Sequence, residues 1–88
     1  MPKNKPPAEF LRLLFARVAQ LRKEADLSQA EVAHLMGIEL GAYKTYEQRT
    51  AMPIHLLERF AVIVGRDIDY IVTGRSARDR LKTIVEKL

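Results

Sequence analysis

Few side chains in this chain of 88 residues are equipped for covalent or acid–base chemistry. Cysteine is absent, which excludes thiol catalysis, disulfides and cysteine-ligated zinc. His34 and His55 are the two histidines; they fall on different helical segments, give poor support to a metal site, and read as solvated surface residues. Asp67 and Asp69 form a carboxylate pair, but Asp67 stands where it can cap a helix and no pocket-forming partner accompanies Asp69. Tyr43 and Tyr46, at a three-residue step, invite a base-stacking role, although that spacing suits packing, with the Tyr46 hydroxyl left to reach a phosphate. No enzyme, metal or cofactor is therefore expected, and the function must lie in binding. The formal net charge of +4 allows an anionic partner such as nucleic acid.

The elements that position these residues are helical. With 48% apolar and 30% charged residues, the chain suits one small soluble domain that folds on packing alone, fits a reducing cytosol, and lacks an apolar run long enough to span a membrane. Residues 1–7 hold three of the four prolines with Lys3 and Lys5 and read as a flexible basic arm; Arg12 and Arg17 interrupt any export signal. A first helix is expected from Ala8 to about Ala25, with Leu11, Leu14, Phe15, Val18 and Leu21 or Arg22 recurring on one face. Ser28 and Glu31 form a capping box for a second helix over 29–36, with Val32, Ala33 and Met36 inward and Gly37 closing it. A third helix over 39–48, a fourth beginning near Pro53, and a short fifth capped by Asp67 and stopped by Gly74 follow. In the fourth, the expected buried stripe is Ile54, Leu57, Phe60, Ala61 and Val64, ended by Gly65. Ser76 caps a last helix over 76–88 whose Ala77, Leu81, Ile84, Val85 and Leu88 share a face. No repeat and no alternating strand pattern is present.

Two short helices joined by a glycine-containing turn and packed through small residues, here Ala33 and Gly37, make a helix-turn-helix. Its second helix can project into the major groove of duplex DNA. The ordered set Ser28-Gln29-Ala30-Glu31-Val32-Ala33, Gly37-Ile38, Tyr43, Tyr46-Glu47, Pro53, Leu57, Phe60-Ala61 and Asp69-Tyr70-Ile71-Val72-Thr73-Gly74 resembles the lambda-repressor/Cro-like, or xenobiotic-response-element, regulators over roughly residues 12 to 75. The resemblance implies an all-α, five-helix DNA-binding domain spanning 8–75, here with an extended first helix and an additional C-terminal helix. It further implies a homodimer on a partly palindromic operator, usually a repressor, in a bacterial or phage-encoded, cytoplasmic setting.

By resemblance, Leu40, Gly41, Ala42, Lys44 and Thr45 occupy the groove-facing positions. Gln29 and Gln48 match backbone-contact positions, with Arg49, His55, Lys3 and Lys5 as further phosphate candidates, and Arg22 with Glu47 matches a structural ion pair. This chain departs from the usual polar residues at Glu39, Leu40 and Gly41, so bidentate purine reading from there is lost. Leu40 and Ala42 can instead meet thymine methyl groups, Gly41 permits close backbone approach, and Glu39 either accepts from a cytosine amino group or caps the helix. Residues 28–53 hold two cations against three carboxylates, while residues 1–27 carry an excess of three positive charges and residues 54–88 an excess of two. Phosphate attraction must then come from the arm and flanking helices.

Phe10, Leu11, Leu13 and Leu14 at one end and Leu81, Ile84, Val85 and Leu88 at the other are more apolar surface than one small core needs. They either pack together within one molecule or form a dimer surface that sets two reading helices about 34–36 Å apart. An antitoxin-like or accessory module that uses these ends to bind a protein partner, with DNA binding secondary or lost, is the alternative function.

Overall fold

The computed structural model describes residues 6–88, apart from the side chain of Ala77. Six helices and no strand occur among the described residues: α1 (Ala8–Glu24), α2 (Gln29–Met36), α3 (Leu40–Tyr46), α4 (Ile54–Val64), α5 (Ile68–Thr73) and α6 (Ala77–Glu86). The chain is all-α. α1 begins at Ala8, and Pro7 is its N-cap, the Pro7 carbonyl accepting from Leu11 N at 3.1 Å. Lys3 and Lys5 lie outside the described residues.

Local chemistry sets six of the twelve helix ends. Ser28 and Glu31 close a reciprocal capping box on α2, Asp67 accepts from Tyr70 N at 2.7 Å at the start of α5, and Ser76 accepts from Asp79 N at 3.1 Å at the start of α6. Each side chain satisfies a backbone donor that the first helical turn leaves free. Gly37, Gly65 and Gly74 end α2, α4 and α5 in the left-handed conformation, where a side chain is disfavoured.

The core is assembled from α1 through α5. Leu14, Val18 and Leu21 come from α1, Val32, Ala33 and Met36 from α2, Tyr43 from α3, Leu56, Leu57, Phe60 and Ala61 from α4, and Ile71 from α5. α2 lies against α3 and α4, and α1 and α4 both lie against α5. Phe60 is fully buried and its ring lies 6.4 Å from that of Tyr43, which joins α4 to α3 in the core. Burying a side chain of that size is worth about 1.5–3 kcal/mol.

Two sequence expectations are corrected and one open alternative is decided. In α4, Ile54 is 76% exposed and Leu56 takes the inward place, because Pro53 fixes the start so that positions 56, 57, 60 and 61 form the inward stripe. The third helix is shorter than 39–48: Glu39 is an extended N-cap residue, Glu47 is the C-cap, and Gln48 falls in the following turn. The two apolar ends do not cover one another. Leu81, Ile84 and Val85 are each more than half exposed, Leu88 lies beyond α6 and is fully exposed, and Phe10 and Leu13 are partly exposed. Leu14 is buried in the chain's own core and Leu11 is half-buried, so neither presents a free surface.

Candidate functional site

The α2–α3 unit is built around one carboxylate. Glu47, just past α3, accepts at Oε2 from Arg22 Nε (2.6 Å) and the Tyr43 hydroxyl (2.6 Å), and at Oε1 from Gln29 Nε2 (3.0 Å) and Arg22 Nη2 (3.3 Å). The Arg22 and Glu47 side chains are 12% and 6% exposed. Arg22 also donates through Nη1 to the Leu27 carbonyl at 2.9 Å, so one guanidinium fastens the end of α1, the α1–α2 connection and the end of α3.

Burial alone pushes the Glu47 carboxyl up, but the hydrogen bonds from Arg22, Tyr43 and Gln29 outweigh it and hold it below the ordinary glutamate value. The same contact with Glu47 raises Arg22. Burial, followed by the hydrogen bond to that carboxylate, pushes the Tyr43 phenol well above its usual range. All three groups thus keep the protonation states that the contacts require at neutral pH.

This clamp fixes which face of α3 points outward. Tyr43 turns fully into the core, while Leu40, Gly41, Ala42 and Lys44 are exposed and Thr45 is half-buried. The Thr45 hydroxyl donates to the Ala42 carbonyl at 2.7 Å, which leaves its lone pairs available but its proton engaged. No Cβ clash limits approach at Gly41, where nothing stands within 4 Å of an added methyl position. Glu39 makes no side-chain cap to α3, which removes the capping half of the alternative raised by its sequence.

The other candidates are spread around this unit. The Thr45 carbonyl accepts from the backbone N–H groups of Gln48 (3.2 Å), Arg49 (2.8 Å) and Thr50 (2.9 Å), and this tight turn leaves the Gln48 and Arg49 side chains exposed. His55 is exposed in the first turn of α4, and His34 is exposed on α2. Gln29 is half-buried and tied to Glu47, so it is part of the clamp as well as a surface group. The charge of this region also differs from a count along the chain: Glu47 is turned inward against Arg22, so the exposed charges of α3 and its flanks are Glu39, Lys44 and Arg49.

Several structural roles had no local sequence signal. Arg17 Nη1 donates to the carbonyls of Ile71 (3.0 Å) and Val72 (3.3 Å) at the end of α5, and Arg59 Nη1 donates to the Met36 carbonyl at the end of α2. Each guanidinium satisfies a helix-end acceptor from another part of the chain. An apolar cleft of about 160 Å³ lies between α1, the end of α3 with the α3–α4 connection, α4 and α5, lined by Phe10, Leu14, Val18, Tyr46, Met52, Leu57 and Val72. Its lining offers no acid, base or nucleophile beyond the Tyr46 phenol, and its volume is well below the roughly 300 Å³ at which small-molecule pockets begin.

Among the described residues no cluster of three or more potential metal ligands occurs, and no helix is long and apolar enough to cross a membrane. Comparisons with known proteins found no matching family, no matching curated protein and no matching solved structure.

Proposed function

We propose that the chain is a sequence-specific double-stranded DNA-binding protein that acts as a homodimeric transcriptional regulator, most simply a repressor. In this reading α1–α5 form a lambda-repressor-like domain, α2 and α3 are its helix-turn-helix, and α3 is the recognition helix. The observation that carries it is the state of α3: its inner side is locked through Tyr43 and Glu47, while Leu40, Gly41, Ala42 and Lys44 are exposed on its outer side among the described residues. A helix held rigidly by one face and bare on the other suits insertion into a major groove about 12 Å wide.

The chemistry of that face favours methyl and shape reading. Leu40 and Ala42 offer apolar contact to thymine methyls, Gly41 admits a close backbone, and Lys44 supplies a cation to a base edge or phosphate. Thr45, its proton engaged with Ala42, serves as an acceptor from a base amino group. Gln29, Gln48, Arg49 and His55 are the proposed backbone contacts, with Lys3 and Lys5 preceding the described residues. Two copies are needed because a single short reading helix gives too few base contacts for useful selectivity.

Selection of bound sequences from a random duplex pool at two salt concentrations tests the reading. Recovery of a partly palindromic site, with affinity falling as salt rises, is expected; failure to enrich any sequence would reject it. A protein-interaction module is the second reading, favoured by the bare apolar side of α6, and absence of enrichment would leave that reading in place.

A further inference from the structure

α6 is the one helix among those described that contributes nothing to the buried core, yet its apolar residues are not scattered. Leu81, Ile84 and Val85 project on one side, at the three- and four-residue steps that place side chains in a helix–helix seam. They are 61%, 57% and 57% exposed. A helix of ten residues is marginal in water by itself, because nucleation is costly and few turns share the cost. Two devices hold it: the Ser76 cap, and an ion pair from Arg80 to Asp69 of α5 at 2.5 Å. Neither covers the apolar side.

The charges around that seam are arranged by sign. At 100° per residue, Arg78 and Lys82 run along one edge of the stripe and Arg80 and Lys87 along the other. The directly flanking positions are therefore cationic, and Asp79 and Glu86 lie one step further out, beyond Lys82, in a surface depression that they share with Leu81 and Val85. Arg78, Lys82 and Lys87 are exposed and make no ion pair among the described residues.

This pattern selects among occupants. Two copies of α6 laid together would bring Arg78, Lys82 and Lys87 face to face, with Arg80 alone among the edge cations compensated, by Asp69. Duplex DNA offers anions but nothing to bury three aliphatic side chains against. A lipid surface is poorly served as well: the helix has no Trp, Tyr or Phe to seat at the headgroup level and spans only about 15 Å. A second helix with aliphatic core positions and glutamates or aspartates along its edges satisfies both the stripe and its borders.

We infer that α6 is a docking seam for an acidic amphipathic helix of a different protein. The proposal stands on α6 alone and is independent of DNA binding. If the chain also dimerises, Phe10 and Leu13 of α1 are among the exposed apolar residues outside α6 available for that contact, with Leu35, Ile54 and Val62.

The test titrates the intact chain into two labelled designed heptad peptides, identical in their leucine core and differing only in carrying Glu or Lys at the bordering positions. The Glu peptide should bind at least about tenfold more tightly at low salt, with the gap closing as salt screens the edges. Leu81→Ser with Ile84→Ser should abolish that binding while leaving the thermal midpoint unchanged, since neither residue is in the core. Arg78→Glu with Lys82→Glu should erase the preference between the peptides, since two bordering cations, Arg80 and Lys87, remain. Equal binding of both peptides, or binding of neither, would overturn the inference. So would conversion of a dimer to monomers by the Ser variants in sedimentation, which would assign α6 to a second copy. Tighter capture by phosphatidylserine vesicles than by the Glu peptide would overturn it in favour of a lipid surface.

Discussion

Gly74 sits directly beneath the guanidinium of Arg17: a Cβ added at Gly74 would lie 2.9 Å from Arg17 Nη2 and 3.1 Å from Cζ. Two constraints meet at this residue. Its φ of +77° disfavours any side chain, and the space that a side chain would enter is filled by the group that caps α5 through the carbonyls of Ile71 and Val72. Gly65 has nearly the same backbone, with φ of +71°, but open space around it. Gly65→Ala should therefore cost about 1–2 kcal/mol from backbone strain alone. Gly74→Ala should cost more, because Arg17 must also give up its carbonyls. Urea unfolding of the two variants measures the difference, and equal midpoints would show that Arg17 yields freely.

Glu47 with one partner removed is a buried carboxylate short of compensation. Arg22→Met should cost about 3–5 kcal/mol, a large share of the 5–15 kcal/mol typical of a small domain. The double change Arg22→Met with Glu47→Leu should recover much of that loss, since no charge is then left in the apolar surroundings. A double-mutant cycle on thermal melts reads the coupling directly. Additive losses would mean that the two side chains are in effect solvated.

The acid limb of stability should carry the signature of the same carboxylate. Its folded-state value lies below the ordinary 4.5, so in the interval beneath 4.5 the unfolded chain binds more protons than the folded one. The stabilisation is therefore complete above about pH 4.5 and is lost as pH falls through the depressed folded value. Glu47→Gln should be less stable near pH 7 and show a flatter decline of its urea midpoint on acidification. Parallel curves for the two proteins would count against a depressed Glu47.

On the DNA-binding reading, the exposed residues of α3 should separate by effect. Lys44→Ala and Thr45→Ala should each change affinity by about 1–3 kcal/mol and relax selectivity at a particular position, if they meet base edges. Gln29→Ala should weaken all sites alike. It should also lower stability by about 1.5–3 kcal/mol, because the Gln29 amide donates to the Glu47 carboxylate. Binding isotherms on a selected site and on its single-base variants, together with melts of each protein, distinguish these outcomes.

Helix ends were the most legible part of the chain. Ser28 with Glu31, Asp67, Ser76 and the three closing glycines act through atoms within a turn of themselves, and such chemistry is written in adjacent residues. The inward set of α2 was equally legible from its spacing, and so were Leu14, Val18 and Leu21 of α1, whereas Leu11 and Phe15, expected on the same face, are only half-buried. What escaped depends on partners remote in sequence. Ile54 and Leu56 are both aliphatic, and only the angle at which α4 leaves Pro53 decides which of them meets the core. Arg17 and Arg59 resemble solvated cations until α5 and α2 bring carbonyls to them. Of the site, the Arg22–Glu47 pairing was expected through family resemblance; the Tyr43 hydroxyl and Gln29 amide on the same carboxylate were not. The apolar ends could be read as surplus, but no pattern in the sequence alone decided whether they covered each other.

The arginines that stitch one helix to another leave a chemical asymmetry. Arg17, Arg22, Arg59 and Arg80 spend their donors on internal carbonyls and carboxylates, whereas the described lysines Lys23, Lys44, Lys82 and Lys87 are all exposed and take part in none of these ties. Acylation acts on lysine amines and leaves guanidinium groups untouched, so it would remove positive charge from the exterior without loosening a single strut. The fold and its external electrostatic field are in this way separately adjustable.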